Sequence, residues 1–221
     1  MKIDPVEQDL REDIVATMRL MDERGLNRGT SGNVSARYRD GLLVTPSGVL
    51  PGDLTPATIV RLDADGNSPE GSMRPSSEWK MHAGLLARRP DFGAVVHCHA
   101  RHATILACAG KTIPALHYMV GVSGKPEVPL APYRTFGSLE LAEVVADAMD
   151  GGSACLMANH GLITAAPRLD RALAIAEEME EQAAVYWGTL AIGGPNLLTG
   201  EQMDDVMLRF KSYGQARPAK T

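Results

Sequence analysis

The chain has 221 residues, is 44% hydrophobic and carries a formal net charge of −5. That length and apolar content support a full core, and one domain over residues 1–221 is expected. The lack of a basic block argues against a nucleic-acid footprint, and the lack of an apolar run of about 18 residues, with a polar N-terminus, predicts a cytoplasmic protein without membrane association.

Asp4-Pro5-Val6-Glu7 offers a cap, a first-turn proline and an acid, so it opens a helix that Gly25 ends. Val6, Leu10, Ile14, Met18 and Met21 form its apolar stripe. Strands are predicted over 34–38 and 42–45, joined by a turn at Arg39-Asp40-Gly41, with another over 59–62. The turn-rich stretch 63–67 leads on to a helix over 78–88. A strand over 94–99, a helix over 103–108 and short strands over 115–119 and 128–131 follow. A helix over 138–149 places Leu139, Ala142, Val145 and Met149 on one side. Apolar strands over 154–158 and 162–165 flank Asn159-His160-Gly161, and helices over 169–190 and 201–210 complete an α/β or α+β layered domain. Cys98, Cys108 and Cys155 lack C-x-x-C spacing and lie in apolar contexts, which predicts buried free thiols.

Val95-Val96-His97-Cys98-His99 puts two imidazoles two residues apart at the end of an apolar run. On a strand, residues i and i+2 share a face, so both rings can reach one ion while Cys98 points into the core. A catalytic zinc site usually takes three protein ligands from separate parts of the chain. His160, in a polar break between two strands, is the leading third candidate, although a loop histidine there can also be of no consequence. His82, His102 and His117 occupy more ordinary positions. Glu78 follows Ser76-Ser77 at a helix start, where an acid also serves simply to cap. Gly29-Thr30-Ser31-Gly32-Asn33, Thr45-Pro46-Ser47-Gly48 and Pro75-Ser76-Ser77 are each suited to an anionic group, although each alone is an ordinary turn composition. None matches a Walker or G-x-G-x-x-G pattern, so nucleotide binding is not indicated.

Taken in order, the motifs resemble the class II aldolase/adducin-head family, in its L-fuculose-1-phosphate aldolase-like branch. The likeness runs through Gly25-Leu26-Asn27-Arg28-Gly29-Thr30-Ser31-Gly32-Asn33-Val34-Ser35, Thr45-Pro46-Ser47-Gly48 and Pro75-Ser76-Ser77-Glu78-Trp79. It continues through Ala94 to Ala100, Ile113-Pro114-Ala115-Leu116-His117-Tyr118-Met119, Ala131-Pro132-Tyr133-Arg134-Thr135-Phe136-Gly137 and Asn159-His160-Gly161-Leu162. The resemblance implies a single three-layer α/β/α domain with a central, largely antiparallel sheet, assembled as a homotetramer with interfacial active sites. It implies Zn2+, or else Mn2+ or Co2+, held by His97, His99, His160 and Glu78, the last a fourth ligand that swings away to become the acid/base. Phosphate binding carries over to Gly32, Asn33, Ser47, Gly48, Ser76 and Ser77. Tyr118 and Tyr213 match catalytic tyrosines, and Phe136 matches an aromatic near the aldehyde pocket. Asn159 stands where related sequences vary, and Arg134 has no assigned role.

The implied reaction is reversible cleavage of a phosphorylated ketose to dihydroxyacetone phosphate and an aldehyde through a metal-stabilised enediolate. Fuculose 1-phosphate, ribulose 1-phosphate and 5-deoxy- or 5-methylthio-pentulose 1-phosphates all share the fragment these motifs hold. None of the motifs points to a Schiff-base lysine. A sugar-phosphate 4-epimerase is the nearest rival, and Glu78, where that branch resembles an Asp, favours the aldolase. A decarboxylase or dehydratase of the superfamily would also exploit a metal-stabilised enolate, and a non-enzymatic adducin-like scaffold would share the fold without needing the metal ligands.

Overall fold

The computed structural model describes residues 4–210. Helix α1 (Pro5–Glu23) opens on Asp4, whose side chain accepts from Val6 N at 3.1 Å, with Pro5 in the first turn where its missing N–H costs nothing. Strands β1 (Asn33–Tyr38) and β2 (Gly41–Val44) make a hairpin through Arg39, whose φ of 53° is left-handed. Strands β3 (Val60–Leu62), β4 (Ala94–Cys98), β5 (Leu130–Ala131), β6 (Ala154–Met157) and β7 (Gly161–Ala166) complete one sheet, in the order β3-β2-β1-β4-β7-β6-β5. Every pairing is antiparallel except that of β5 with β6.

Every residue of β4, β6 and β7 is buried, which explains why these strands read as continuous apolar runs rather than as alternating ones. Helices α1, α3 (Arg101–Cys108) and α5 (Leu169–Leu190) cover one face of the sheet, around a core that includes Ile14, Val96, Leu106 and Met179. Helices α2 (Trp79–Arg88) and α4 (Leu139–Ala148) cover the other, around Leu85, Val95, Val145 and Ile163. The arrangement is therefore α/β/α with a largely antiparallel central sheet. A last helix, α6 (Gly200–Phe210), packs on a short 3-10 helix spanning Tyr118–Ser123.

Three local expectations need correction. The stretch 115–119 is not a strand: Ile113 and Val128 form one isolated bridge, Pro114 has no N–H for a longer ladder, and His117 caps the 3-10 helix. Leu139 is 61% exposed, because as the first residue after the Ser138 cap it precedes the buried stripe that starts at Leu141. Cys108, the last residue of α3, is exposed, whereas burial pushes the Cys98 and Cys155 thiols up to about 12.

Helix α3 starts two residues after His99, and its own cap, Ala100, offers no side-chain acceptor. Glu180 of α5 supplies one, accepting from His102 N and Ala103 N at 2.9 Å each and pairing with His102 Nδ1 at 2.8 Å. Negative charge at that helix end also opposes the helix dipole favourably. Glu180→Ala leaves two partly buried N–H groups without partners and is expected to lower the unfolding free energy by about 1–3 kcal/mol, read by urea denaturation. An unchanged midpoint would show that water replaces the carboxylate at no cost.

Candidate metal centre and anion cradle

The pairing of β4 with β1 and β7 builds the site. His97 lies opposite Asn33 on one side and Ile163 on the other. The turn between β6 and β7 carries His160, and Asn159 there has a φ of 55°, a left-handed conformation that asparagine tolerates better than most residues. His99, one residue past β4, has its N–H held by Asn27 Oδ1 at 3.1 Å. These constraints bring the three rings edge to face, with centroids 4.9 Å apart for His97–His99, 4.8 Å for His97–His160 and 5.1 Å for His99–His160.

Ring nitrogens of His97, His99 and His160 all fall within 4.8 Å of one another, with His97 Nε2 only 3.1 Å from His99 Nε2. His97 Nδ1 lies 3.0 Å from the Leu162 carbonyl, an acceptor, so Nδ1 carries the hydrogen and Nε2 presents a lone pair in the neutral ring. Glu78, the N-cap residue of α2, adds its carboxylate: Oε2 is 3.2 Å from His97 Nε2, and Oε1 is 3.2 Å from His160 Nε2. Although close to His160, Oε1 is buried and receives no aligned hydrogen bond. Lone pairs converging at such distances repel unless a proton or cation lies among them. Three of these separations, 3.1, 3.2 and 3.2 Å, the last two from different oxygens of Glu78, are close to the edge, about 3.3 Å, of a tetrahedron with metal–ligand bonds near 2.05 Å. The donor set fits a divalent ion.

Electrostatics agree with that fit. Burial and the neighbouring His97 and His160 push His99 down to about 4, which keeps it neutral near pH 7. Burial alone would lower His97, but the adjacent Glu78 carboxylate outweighs it, and the ring takes up a proton more readily than a free imidazole. Burial alone would raise Glu78, but attraction from His97 and contacts with His160 outweigh that and hold the carboxyl far below the usual range. A divalent cation would occupy the place that such a proton has in the metal-free chain.

The three anion-suited stretches also come together. Val34 N donates to Thr45 Oγ1 at 3.2 Å, Ser76 N to the Thr45 carbonyl at 2.9 Å, and Ser47 N to the Arg74 carbonyl at 3.0 Å. A bridge between Pro46 and Pro75 fixes the last two stretches side by side, leaving Ser47, Gly48 and Ser77 exposed and Ser76 buried beneath. Ser76 Oγ accepts from Glu78 N at 3.3 Å, which ties the cradle to the carboxylate. Gly32 adopts a φ of +76°, and a Cβ there would overlap the Asn27 carboxamide. Gly137 packs on Ser77, where an added Cβ would come within 2.6 Å of the Ser77 carbonyl oxygen, so the loop bearing Phe136 borders the cradle.

Tyr118 and Phe136 are not gathered into the histidine cluster. Tyr118 is half-exposed and stacks on Phe210 at 6.4 Å, and Phe136 is 65% exposed. Tyr213 lies outside the described residues. Two residues without an assigned role in the sequence do surround the cluster. Asn27 is 3% exposed, holds the His99 backbone and keeps an unpartnered Nδ2. His82 is fully buried in α2, and burial, reinforced by His97 and opposed by Glu78, pushes it down to about 3. Its spacing of four from Glu78 on a helix is a legible signal; for Asn27 the signal is its place in the first of the resembling motifs, without a role attached. A cavity of about 320 Å³ opens beside His99, between the loop at Gly25 and Arg28 and one face of α3.

The comparisons with known proteins agree with this geometry. Residues 12–187 match the family described as class II aldolase and adducin N-terminal domain. The chain belongs to this family. It is similar to a 5-methylthioribulose-1-phosphate/5-deoxyribulose-1-phosphate aldolase of Rhodospirillum rubrum, 46% identical over 93% of this chain and 92% of that one. An L-fuculose phosphate aldolase of Escherichia coli strain K12 is 45% identical over 93% of this chain and 95% of its own. A solved L-fuculose 1-phosphate aldolase superposes with a TM-score of 0.88, at 38% identity, over 92% of this chain and 96% of that one. The chain is thus a lyase of the metal-dependent class II aldolase type. Among its described residues, no helix is long and apolar enough to cross a membrane.

A direct constraint on the centre is Gly161, where an added Cβ would come 2.5 Å from the Cys98 carbonyl oxygen and 3.1 Å from His99 Cδ2. Gly161→Ala must push β7 from β4 or turn the His99 ring. Competition with a chromophoric chelator is expected to show about 10- to 100-fold weaker divalent-metal affinity in this variant. Unchanged affinity would mean that the ring position is not set by this contact.

Proposed function

We propose that the chain is a zinc-dependent aldolase that reversibly cleaves a ketose 1-phosphate to dihydroxyacetone phosphate and an aldehyde. The observation that carries this reading is the convergence of three imidazole nitrogens and the Glu78 carboxylate beside three anion-suited stretches that strand pairing ties together. The relatives' printed activities on fuculose, methylthioribulose and deoxyribulose phosphates support the same substrate class. The proposed unit is a single domain over residues 1–221, in a cytoplasmic homotetramer with active sites at subunit interfaces.

Retro-aldol cleavage leaves an electron pair on the carbon beside a carbonyl, which is very unfavourable in water. Zinc held by His97, His99, His160 and Glu78 would supply Lewis-acid stabilisation of the negative charge that develops on the carbonyl oxygen. The chain's own groups do the rest. Gly32, Asn33, Ser47, Gly48, Ser76 and Ser77 bind the phosphate with neutral N–H and hydroxyl donors, and so orient the reacting carbons over the cluster. Glu78 moves the proton at the carbon of dihydroxyacetone phosphate. One of its carboxylate oxygens receives no aligned hydrogen bond. Tyr118, from a neighbouring copy, handles the proton at the aldehyde oxygen, with Tyr213 assisting and Phe136 lining the aldehyde side. The exposure of Tyr118 and Phe136 in the single chain is consistent with work across an interface.

Glu78→Gln is the sharpest test. It keeps the size of the side chain but removes the base, so solvent deuterium exchange into dihydroxyacetone phosphate should fall by about 100-fold or more. Wild-type exchange in that variant would remove Glu78 from the proton transfer. A panel of ketose 1-phosphates, assayed with and without chelator, should release dihydroxyacetone phosphate only with metal present; release of carbon dioxide instead would overturn the aldolase reading.

A further inference from the structure

We propose that His82 is a positioning residue for Glu78, acting through the Asn33 carboxamide; the inference rests on the role given to Glu78 above. His82 is 0% exposed, and both of its ring nitrogens are engaged with side chains of β1. Nδ1 lies 2.8 Å from Ser35 Oγ, and Nε2 lies 2.5 Å from Asn33 Oδ1. Asn33 in turn donates from Nδ2 to Glu78 Oε2 at 2.9 Å. Ser35 and Asn33 are two apart on one strand and so share a face, while His82 and Glu78 are four apart across the start of α2. The four side chains form one buried line from the core to the cluster.

The direction of every hydrogen in that line follows from its end. An ionised carboxylate only accepts, so the Asn33 NH2 group must face Glu78 and the amide oxygen must face His82. His82 therefore carries its hydrogen on Nε2 and presents a bare Nδ1, which accepts from the Ser35 hydroxyl. If the imidazole donor were absent, the Asn33 amide could turn over and point its oxygen at the carboxylate, which repels it. With the donor present, one orientation is favoured.

This arrangement makes the two oxygens of Glu78 unequal. Oε2 is held by Asn33, whereas Oε1 has no hydrogen bond. Oε1, 3.2 Å from His160 Nε2, therefore faces the histidine cluster without a hydrogen-bond donor, while Asn33, oriented by His82, anchors Oε2.

The test combines a double-mutant cycle with a measurement that needs no activity. In metal-free wild-type protein, long-range nitrogen–proton NMR should find His82 neutral with its hydrogen on Nε2, and Asn33→Ala should move that signal. A hydrogen on Nδ1, or a signal indifferent to Asn33→Ala, overturns the proposal whether or not the protein is an aldolase. In zinc-loaded enzyme, His82→Leu should lower kcat and deuterium exchange into dihydroxyacetone phosphate by about 10- to 100-fold at full metal occupancy. His82→Gln, whose amide can donate to Asn33, should restore most of the loss, and it also serves if the leucine variant fails to fold. His82→Leu should add no further loss to Asn33→Ala. Losses that multiply, or a leucine variant with wild-type exchange, reject a route through Asn33. A wild-type enzyme that neither cleaves nor exchanges would reject the aldolase reading instead, with the NMR result still deciding the geometry.

Discussion

Four lone-pair donors with a shared need for positive charge are crowded into one partly buried space, and the rest of the molecule makes that crowding stable. His97 is fully buried between β1 and β7, with Nδ1 committed to the Leu162 carbonyl. It cannot swing away from His99 and Glu78 without breaking a strand-level contact. His160 is delivered by a hairpin turn, Glu78 by a helix start and His99 by the residue after a strand end. A cluster of this kind is costly without a cation. Its rigidity is therefore an argument for metal occupancy, not for stability of the empty chain.

The cradle and the cluster are mechanically one object. Thr45 connects Val34, next to Asn33 at the start of β1, to Ser76, and Ser76 Oγ meets the Glu78 backbone. A group bound to Ser47, Gly48 or Ser77 is thus referenced to the same backbone that places the carboxylate. This is how phosphate binding can be turned into orientation of the reacting carbons without an arginine cluster. Among the described residues, Tyr118, Tyr133 and Phe136, beyond the cradle, stand exposed.

The parts legible in the sequence were those governed by short periods. The β4 and β7 runs, the i, i+2 spacing of His97 and His99, and the Asn159-His160-Gly161 break each announce themselves locally, as does the cap of α1. The layered fold followed from the alternation of these elements. Illegible were the residues whose role depends on pairing between distant segments. Asn27 matters because its carboxamide meets His99, 72 positions away, and His82 matters because two β1 side chains receive its ring. The stretch around His117 misled for a different reason. Its residues suit a strand, but Pro114 and the 3-10 turn that starts at Tyr118 prevent a ladder.

The central claim is that His97, His99, His160 and Glu78 hold one divalent ion, and the coordination itself can be measured. X-ray absorption on the zinc-loaded protein, with metal analysis on the same sample, is the direct measurement. The account predicts one ion per chain, with about three imidazole nitrogens and carboxylate oxygen near 2.0–2.2 Å. An ion bound through sulfur, a shell with fewer than two imidazoles, or a protein that excludes zinc while folded would contradict it.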